Sequence, residues 1–216
     1  VEQVKKETGL EIEVIDGDRE AELIWKGVRL TGLLDKGPAL IMDIGGGSTE
    51  FIIADDKEVH WKKSYRLGVT RLKERYQLSD PFVEYDEALM KSAMAEEIAD
   101  VFEQSRSLRC TTLIGASGSF NSLCAMLAKG DLSKVDPMSQ TIELGPYRAL
   151  SEFIRNSPTM MRKRLDGLVS DRVPTIPYSC SLIDLVLETL SISKIWRSNY
   201  ALKEGVVSEL MENEKV

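Results

Sequence analysis

The stretch Asp43-Ile44-Gly45-Gly46-Gly47-Ser48-Thr49 has the residue types of a phosphate site. Gly45, Gly46 and Gly47 remove every Cβ from a turn, so backbone N–H groups can converge on an anion, and Ser48 and Thr49 add hydroxyl donors. The apolar run Leu40-Ile41-Met42 ahead of them is a short buried strand that brings Asp43 to its carboxyl end, facing a cleft. A carboxylate beside a phosphate cradle is placed to hold a magnesium ion or to face an attacking water, because both must sit against the phosphate. Phe51-Ile52-Ile53-Ala54 resumes as a second strand, so this turn joins strand to strand. It therefore differs from the G-x-x-x-x-G-K-[ST] loop and the G-x-G-x-x-G turn, both of which open a helix.

The rest of the chain must position that turn. At 216 residues with 43% apolar content it can bury a sizeable core. A net charge of −7 argues against a broad footprint for a nucleic-acid polymer or an acidic membrane, so a polyanionic ligand must meet local basic residues. Cys110, Cys124 and Cys180 form no C-x-x-C pair and read as reduced, buried thiols of a cytoplasmic protein. No apolar stretch is long enough to span a bilayer as a helix. The opening Val1-Glu2-Gln3-Val4 has the look of a helix interior, which implies a piece of a longer chain.

In order, residues 1–8 end a helix stopped by Gly9, residues 11–15 form a strand, and Asp16-Gly17-Asp18 offers a turn and an N-cap. Ala21, Ile24, Trp25 and Val28 then recur at helical spacing, with Glu20 in the first turn of that helix. Asp35-Lys36-Gly37-Pro38 links it to the hairpin. Val59, Trp61, Tyr65 and Leu67 mark a third strand with His60 on its wet face. Gly68-Val69-Thr70-Arg71-Leu72 starts a helix, and residues 85–108 form one long amphipathic helix with Met90 and Met94 in the core. A fourth strand, Thr111-Thr112-Leu113-Ile114, runs into Gly115-Ala116-Ser117-Gly118-Ser119 and a helix from Phe120. Small residues there let a phosphate or nucleotide approach the backbone at Ser117 and Gly118; a plain tight turn is the alternative. Residues 130–173 are expected as loop and short helices, whose Arg162, Lys163, Arg164 and Arg172 offer counter-charge. Residues 175–190 make a helix, 192–196 a last strand and 201–211 a closing helix. This order gives an α/β unit with a mixed sheet and helices on both faces, and in that it resembles actin-like, ribonuclease H-like domains.

A hairpin tipped by Asp-x-Gly-Gly-Gly-Ser-Thr resembles the phosphate hairpin of the sugar kinase, actin and chaperone ATPase superfamily. The likeness narrows with Glu11-Ile12-Glu13-Val14-Ile15-Asp16-Gly17-Asp18-Arg19-Glu20-Ala21, Leu67-Gly68-Val69-Thr70-Arg71-Leu72, Gly115 to Ser119, and Leu202-Lys203-Glu204-Gly205-Val206-Val207. Together these are similar to the exopolyphosphatase and guanosine pentaphosphate phosphatase (Ppx/GppA) family. The resemblance implies magnesium-dependent hydrolysis of a terminal phosphate from inorganic polyphosphate or guanosine pentaphosphate. It implies Glu20 as the base on water, Asp43 beside metal and phosphate, and Gly45 to Thr49 as the second phosphate loop. It also implies a first domain carrying the other phosphate loop, of which residues 1–34 would be the tail and connecting helix and residues 35–216 the second domain, and a tendency to dimerise. The chain departs from the family at Arg19, where an acid is usual, and after Arg172, where Pro174 and Thr175-Ile176-Pro177 stand. An ATP-dependent kinase relative and a sensor that binds such phosphates without turnover are the other readings.

Overall fold

A computed structural model of the chain describes residues 1–213. Its elements run α1 (Glu2–Thr8), α2 (Gly17–Arg29), β1 (Ala39–Ile44), β2 (Thr49–Ala54), β3 (Val59–Tyr65), α3 (Val69–Tyr76), α4 (Glu84–Glu97), α5 (Ala99–Ser107), β4 (Thr112–Ala116), α6 (Ser117–Leu127), β5 (Ser139–Ile142), α7 (Leu144–Asn156), α8 (Thr159–Arg162), α9 (Ile176–Thr189), β6 (Lys194–Ser198) and α10 (Leu202–Asn213). The six strands form one sheet in the order β3-β2-β1-β4-β6-β5. The expected hairpin makes β1 antiparallel to β2, β3 adds antiparallel to β2, and β4 lies parallel to β1 on the other side. β6 is parallel to β4, and β5 closes the sheet antiparallel to β6.

Alternation along the strands divides the core into two layers. Leu40, Met42, Phe51, Ile53 and Leu113 face the layer that holds α4, α6, α7 and α9. Ala39, Ile41, Ile52, Ala54, Ile114 and Ala116 face α2 and the start of α10. Every residue of β1 and β2 is buried, as the apolar content of these strands requires of a sheet covered on both sides. Met90 and Met94 are fully buried, and the three cysteines are free and buried.

The α2–α10 pair controls how the helix carrying Glu20 sits on the sheet. Gly27 lies against the backbone of Ala201, and Gly205 lies against that of Leu23, so a Cβ at either position would collide with a carbonyl oxygen. Gly205→Ala should therefore cost about 1–3 kcal/mol of unfolding free energy through overpacking, read as a lower urea midpoint at unchanged m.

Four expectations are corrected. Residues 11–15 form no strand: neither sheet edge pairs with them, and Leu10, Ile12 and Val14 remain 65%, 45% and 77% exposed. An extended segment becomes a strand only when a neighbour satisfies its N–H and C=O groups. The long helix over 85–108 is two helices broken at Ile98 (φ −108°, ψ 23°), which buries that side chain completely and lets α4 pack on α9 while α5 meets β2. Residues 139–142, expected as loop, form β5, whose short polar segment Ser-Gln-Thr-Ile becomes a strand only by pairing with β6. Arg162 supplies no counter-charge to a ligand, for it is 3% exposed, 2.6 Å from Asp80 Oδ1, and donates to backbone carbonyls around it.

Candidate active site

Asp43 ends the apolar part of β1 and lies opposite Glu50 on β2 and Ala116 on β4. Its side chain therefore stands at the carboxyl ends of two parallel strands, on the α2 face of the sheet, where open α/β sheets bind ligands. Glu50 shares that face, is 1% exposed, and accepts a hydrogen bond from Ser64 Oγ of β3 at 2.7 Å. Asp16 caps α2, its carboxylate accepting from the Arg19 N–H at 2.8 Å, which places Glu20 in the first turn. Gly17 permits this approach, since a Cβ there would press on Ser64.

The hairpin tip is braced from behind. Gly68 packs on the backbone of Gly46 and Gly47, the N–H groups of Val69, Thr70 and Arg71 at the start of α3 donate to the Gly45 and Gly46 carbonyls, and Arg71 Nε donates to the Gly47 carbonyl at 3.0 Å. The loop carbonyls are thus held by α3. Among the described residues the N–H groups of Gly46, Gly47 and Ser48 make no hydrogen bond, so they remain available to an anion. Thr49 is fully buried, and its hydroxyl donates to the Leu67 carbonyl at 3.1 Å. That proton braces the loop, so the expected hydroxyl donor at Thr49 is engaged within the protein.

A second set of donors comes from α6. Its N-cap, Ala116, has no side-chain cap, which leaves the first N–H groups of the helix open. Ser117 holds φ at +68°, a left-handed conformation costing a non-glycine residue roughly 1–2 kcal/mol, and this turns the helix start toward Asp43. Arg172, at the end of a short 3-10 turn, lays its guanidinium on Gly118, where any Cβ would overlap it. Arg172 forms no ion pair with an acid among the described residues. Arg19, next to Glu20 in sequence, is drawn away: it pairs with Glu209 of α10 and with Glu22.

The electrostatics follow from this convergence. Burial pushes the Asp43 carboxyl up to about 7, the Ser117 hydroxyl opposes this, the charges of Glu50 and Glu20 add to it, and Arg172 opposes it. Burial, and then the charge of Glu50, raise Glu20 above the usual carboxylate range. An acid raised on folding stabilises the fold fully below its unfolded value of 3.8, and that contribution is lost as pH rises through about 7. Asp43→Asn should therefore flatten this decline in metal-free buffer, gaining at pH 8 relative to pH 4 by at most about 4 kcal/mol. Urea titrations of both proteins in EDTA at the two pH values would read it; parallel profiles would mean that the decline does not originate at Asp43.

Of the residues selected from sequence, Glu20, Asp43, Gly45, Gly46, Gly47, Ser48, Ser117, Gly118 and Arg172 come to one end of the sheet. Glu50 was not among them. Its signal was an acid inside Thr-Glu-Phe-Ile-Ile-Ala, an otherwise apolar strand, where an ionised side chain needs a reason to be buried. No three of the described His, Cys, Asp or Glu side chains are grouped closely enough to hold a metal ion by themselves. His60 sits 2.9 Å from Asp55 on β3, away from this cluster.

A six-stranded mixed sheet flanked by helices, with β1 and β2 joined by a glycine hairpin that starts from an acid, defines a domain of the actin-like ATPase fold. The sequence matches the Ppx/GppA phosphatase family over residues 1–214, and the chain belongs to that family. It is 32% identical over 213 residues to the guanosine-5'-triphosphate,3'-diphosphate pyrophosphatase of Aeromonas hydrophila, covering 94% of this chain and 39% of that protein. It is 27% identical over 213 residues to exopolyphosphatase 1 of Mycobacterium tuberculosis, covering 98% of this chain and 62% of that one. The crystal structure of an exopolyphosphatase from Cytophaga hutchinsonii matches with a TM-score of 0.93 at 34% identity, over 98% of this chain and 69% of that chain. The Aquifex aeolicus member of the family matches in fold with a TM-score of 0.83 at 23% identity, over 100% of this chain and 69% of that one. The chain thus spans 39% of the pyrophosphatase and 62% of the exopolyphosphatase named above.

Proposed function

We propose that this chain forms one wall, with the base, of the active-site cleft of a phosphohydrolase that releases the terminal phosphate from inorganic polyphosphate or guanosine pentaphosphate. The observation that carries this is the meeting of Glu20, Asp43 and Glu50 with two sets of open N–H donors at one end of the sheet. Glu20, raised by burial and by Glu50, is matched to take a proton from water. The loop and α6 N–H groups and Arg172 hold the phosphate in line and stabilise the charge that spreads over its oxygens.

Magnesium fits the donor set. A buried acid pair beside an anion cradle supplies one or two carboxylate ligands and leaves phosphate oxygens and waters to complete the shell, as this ion prefers. Asp43, with Glu50 beside it, would hold the ion, which would neutralise phosphate charge.

Arg19 is held by Glu209, so it is oriented away from the water that Glu20 would activate, which favours turnover over a non-catalytic sensor. The facing wall belongs to the first domain, and the uncovered apolar side chains Leu10, Ile12 and Val14 fit a segment that pairs with it or with a second copy. The protein would act in the cytoplasm; no helix among the described residues is long and apolar enough to cross a membrane.

The test is phosphate release from polyphosphate, guanosine pentaphosphate and ATP, with magnesium and with EDTA, by this chain and by the full-length protein. Magnesium-dependent release by the full-length protein, with little from this chain, is expected. Binding of these ligands by the full-length protein without any release would overturn the proposal in favour of the sensor.

A further inference from the structure

The peptide planes at the hairpin tip are held in two different ways. A trans peptide unit is planar, with its C=O and N–H on opposite sides, so whatever binds the carbonyl of one residue aims the N–H of the next. The Gly45 and Gly46 carbonyls accept from the N–H groups of Val69, Thr70 and Arg71, and this aims the N–H groups of Gly46 and Gly47. Those donors open α3, where amides have no acceptor in their own helix and where no side chain caps them. Backbone alone therefore secures these two planes.

The third plane, between Gly47 and Ser48, depends on a side chain. Its carbonyl accepts from Arg71 Nε at 3.0 Å, and the Ser48 N–H makes no hydrogen bond among the described residues. Apart from the flanking residues, the only atom that a Cβ on Gly47 would meet within 4 Å is Arg71 Nη2, at 3.9 Å. Glycine at this point leaves the plane free to rotate, so without the guanidinium little opposes a flip. A flip would turn the Gly47 carbonyl, a negative dipole, to the side where the Ser48 N–H now points. Arg71 is free for this contact: it pairs with no acid among the described residues, whereas Arg75, one turn further along α3, is engaged by Glu97.

We infer that Arg71 is a positioning residue of the phosphate site, holding the Gly47–Ser48 peptide with its N–H toward the anion and excluding the flipped state. The inference rests on the phosphate site proposed above. Arg71 acts through the Ser48 N–H, on the far side of the peptide from its own guanidinium.

The geometry also supplies the test. Arg71 lines a shallow cavity of about 530 Å³ with Arg66, Glu74, Arg75 and Glu97, so truncating it leaves room for a free guanidinium ion to reach the Gly47 carbonyl. In the full-length protein, with magnesium and inorganic tripolyphosphate, Arg71→Ala should lower kcat by about 10–100-fold, somewhat less than the loss on deleting such a donor outright. Guanidinium chloride, kept far below denaturing concentration, should restore much of that rate, and Arg71→Lys, which keeps a donor of similar reach, should be faster than Arg71→Ala. The second readout is the Ser48 amide resonance in full-length protein carrying isotope-labelled serine. Inorganic phosphate with magnesium should shift it in the wild type, much less in Arg71→Ala, and again once guanidinium is added. A Ser48 amide that responds to phosphate equally in both proteins, or a rate loss that guanidinium leaves untouched, would overturn the inference. The two readings fail separately. A Ser48 response that depends on Arg71, without phosphate release by the wild type, would remove the hydrolase and keep the role of Arg71, whereas release with a Ser48 amide indifferent to Arg71 would do the reverse.

Discussion

Glu20→Gln in the full-length protein should lower the rate of phosphate release by about 10²–10⁴-fold while ligand affinity changes little. The amide keeps the size of the side chain and its place in the first turn of α2, because Asp16 still caps the helix and α10 still holds it on the sheet. What it loses is the ability to accept a proton from water. Glu20 is suited to that task because burial and the neighbouring charge of Glu50 raise its proton affinity, whereas Asp43, more deeply buried, lies against the phosphate cradle. Removing the proposed base would lower kcat, while the ground-state contacts that the backbone N–H groups and Arg172 would make to the phosphates stay in place. Phosphate release measured beside ligand binding distinguishes the cases. A variant with undiminished turnover would remove Glu20 from the chemistry, and one with lost binding would make it a structural residue.

The second large effect lies in the layer on the opposite side of the sheet. Arg155 of α7 reaches Glu87 of α4 at 2.9 Å and Asp184 of α9 at 3.1 Å, and both carboxylates are nearly inaccessible, at 5% and 6% exposure. Ser181 donates to Glu87, and Tyr147 and Ser151 donate to Asp184, so each oxygen has a partner. Arg155→Met keeps the packing of the aliphatic stem and leaves two buried carboxylates without their counter-charge. The expected loss is about 3–5 kcal/mol of unfolding free energy, large against a typical total of about 5–15. Adding Glu87→Gln should recover part of it, because one of the two stranded charges is then gone. Urea denaturation of both variants would show it; a single variant within 1 kcal/mol of the wild type would mean that water reaches these carboxylates.

This network was invisible in the sequence, where Glu87, Arg155 and Asp184 look like ordinary polar positions on three separate helices. Nothing local requires them to meet. Ile98 shows the same limit: the helical pattern of residues 85–108 runs through it, and only its burial against the sheet breaks the helix there. β5 is a strand because β6 lies beside it. Residues 11–15 show the converse, an alternating segment that forms no strand where no edge meets it.

What the sequence determined by itself was whatever short-range sterics and hydrogen bonding decide. The apolar run before Asp43, the three glycines and the resumed apolar strand specify a hairpin with an acid at its base. Asp16 specifies where α2 begins, and hence where Glu20 stands on it. The mixed sheet with helices on both faces, and most of its strands and helices, could be read from these signals together with the family likeness, whereas β5, the break at Ile98 and the unpaired residues 11–15 could not. Tertiary structure alone decided which charges face the site. Arg172 is drawn onto Gly118 while Arg162 is buried on Asp80 and Arg19 is taken by Glu209, although all three are equally basic in sequence. It also decided that Glu50 joins Glu20 and Asp43, since strand pairing sets Glu50 opposite Asp43 and the α2–α10 contact brings Glu20 over them. A long side chain goes to whichever partner the packed backbone brings within a few ångströms, and that distance exists only after folding.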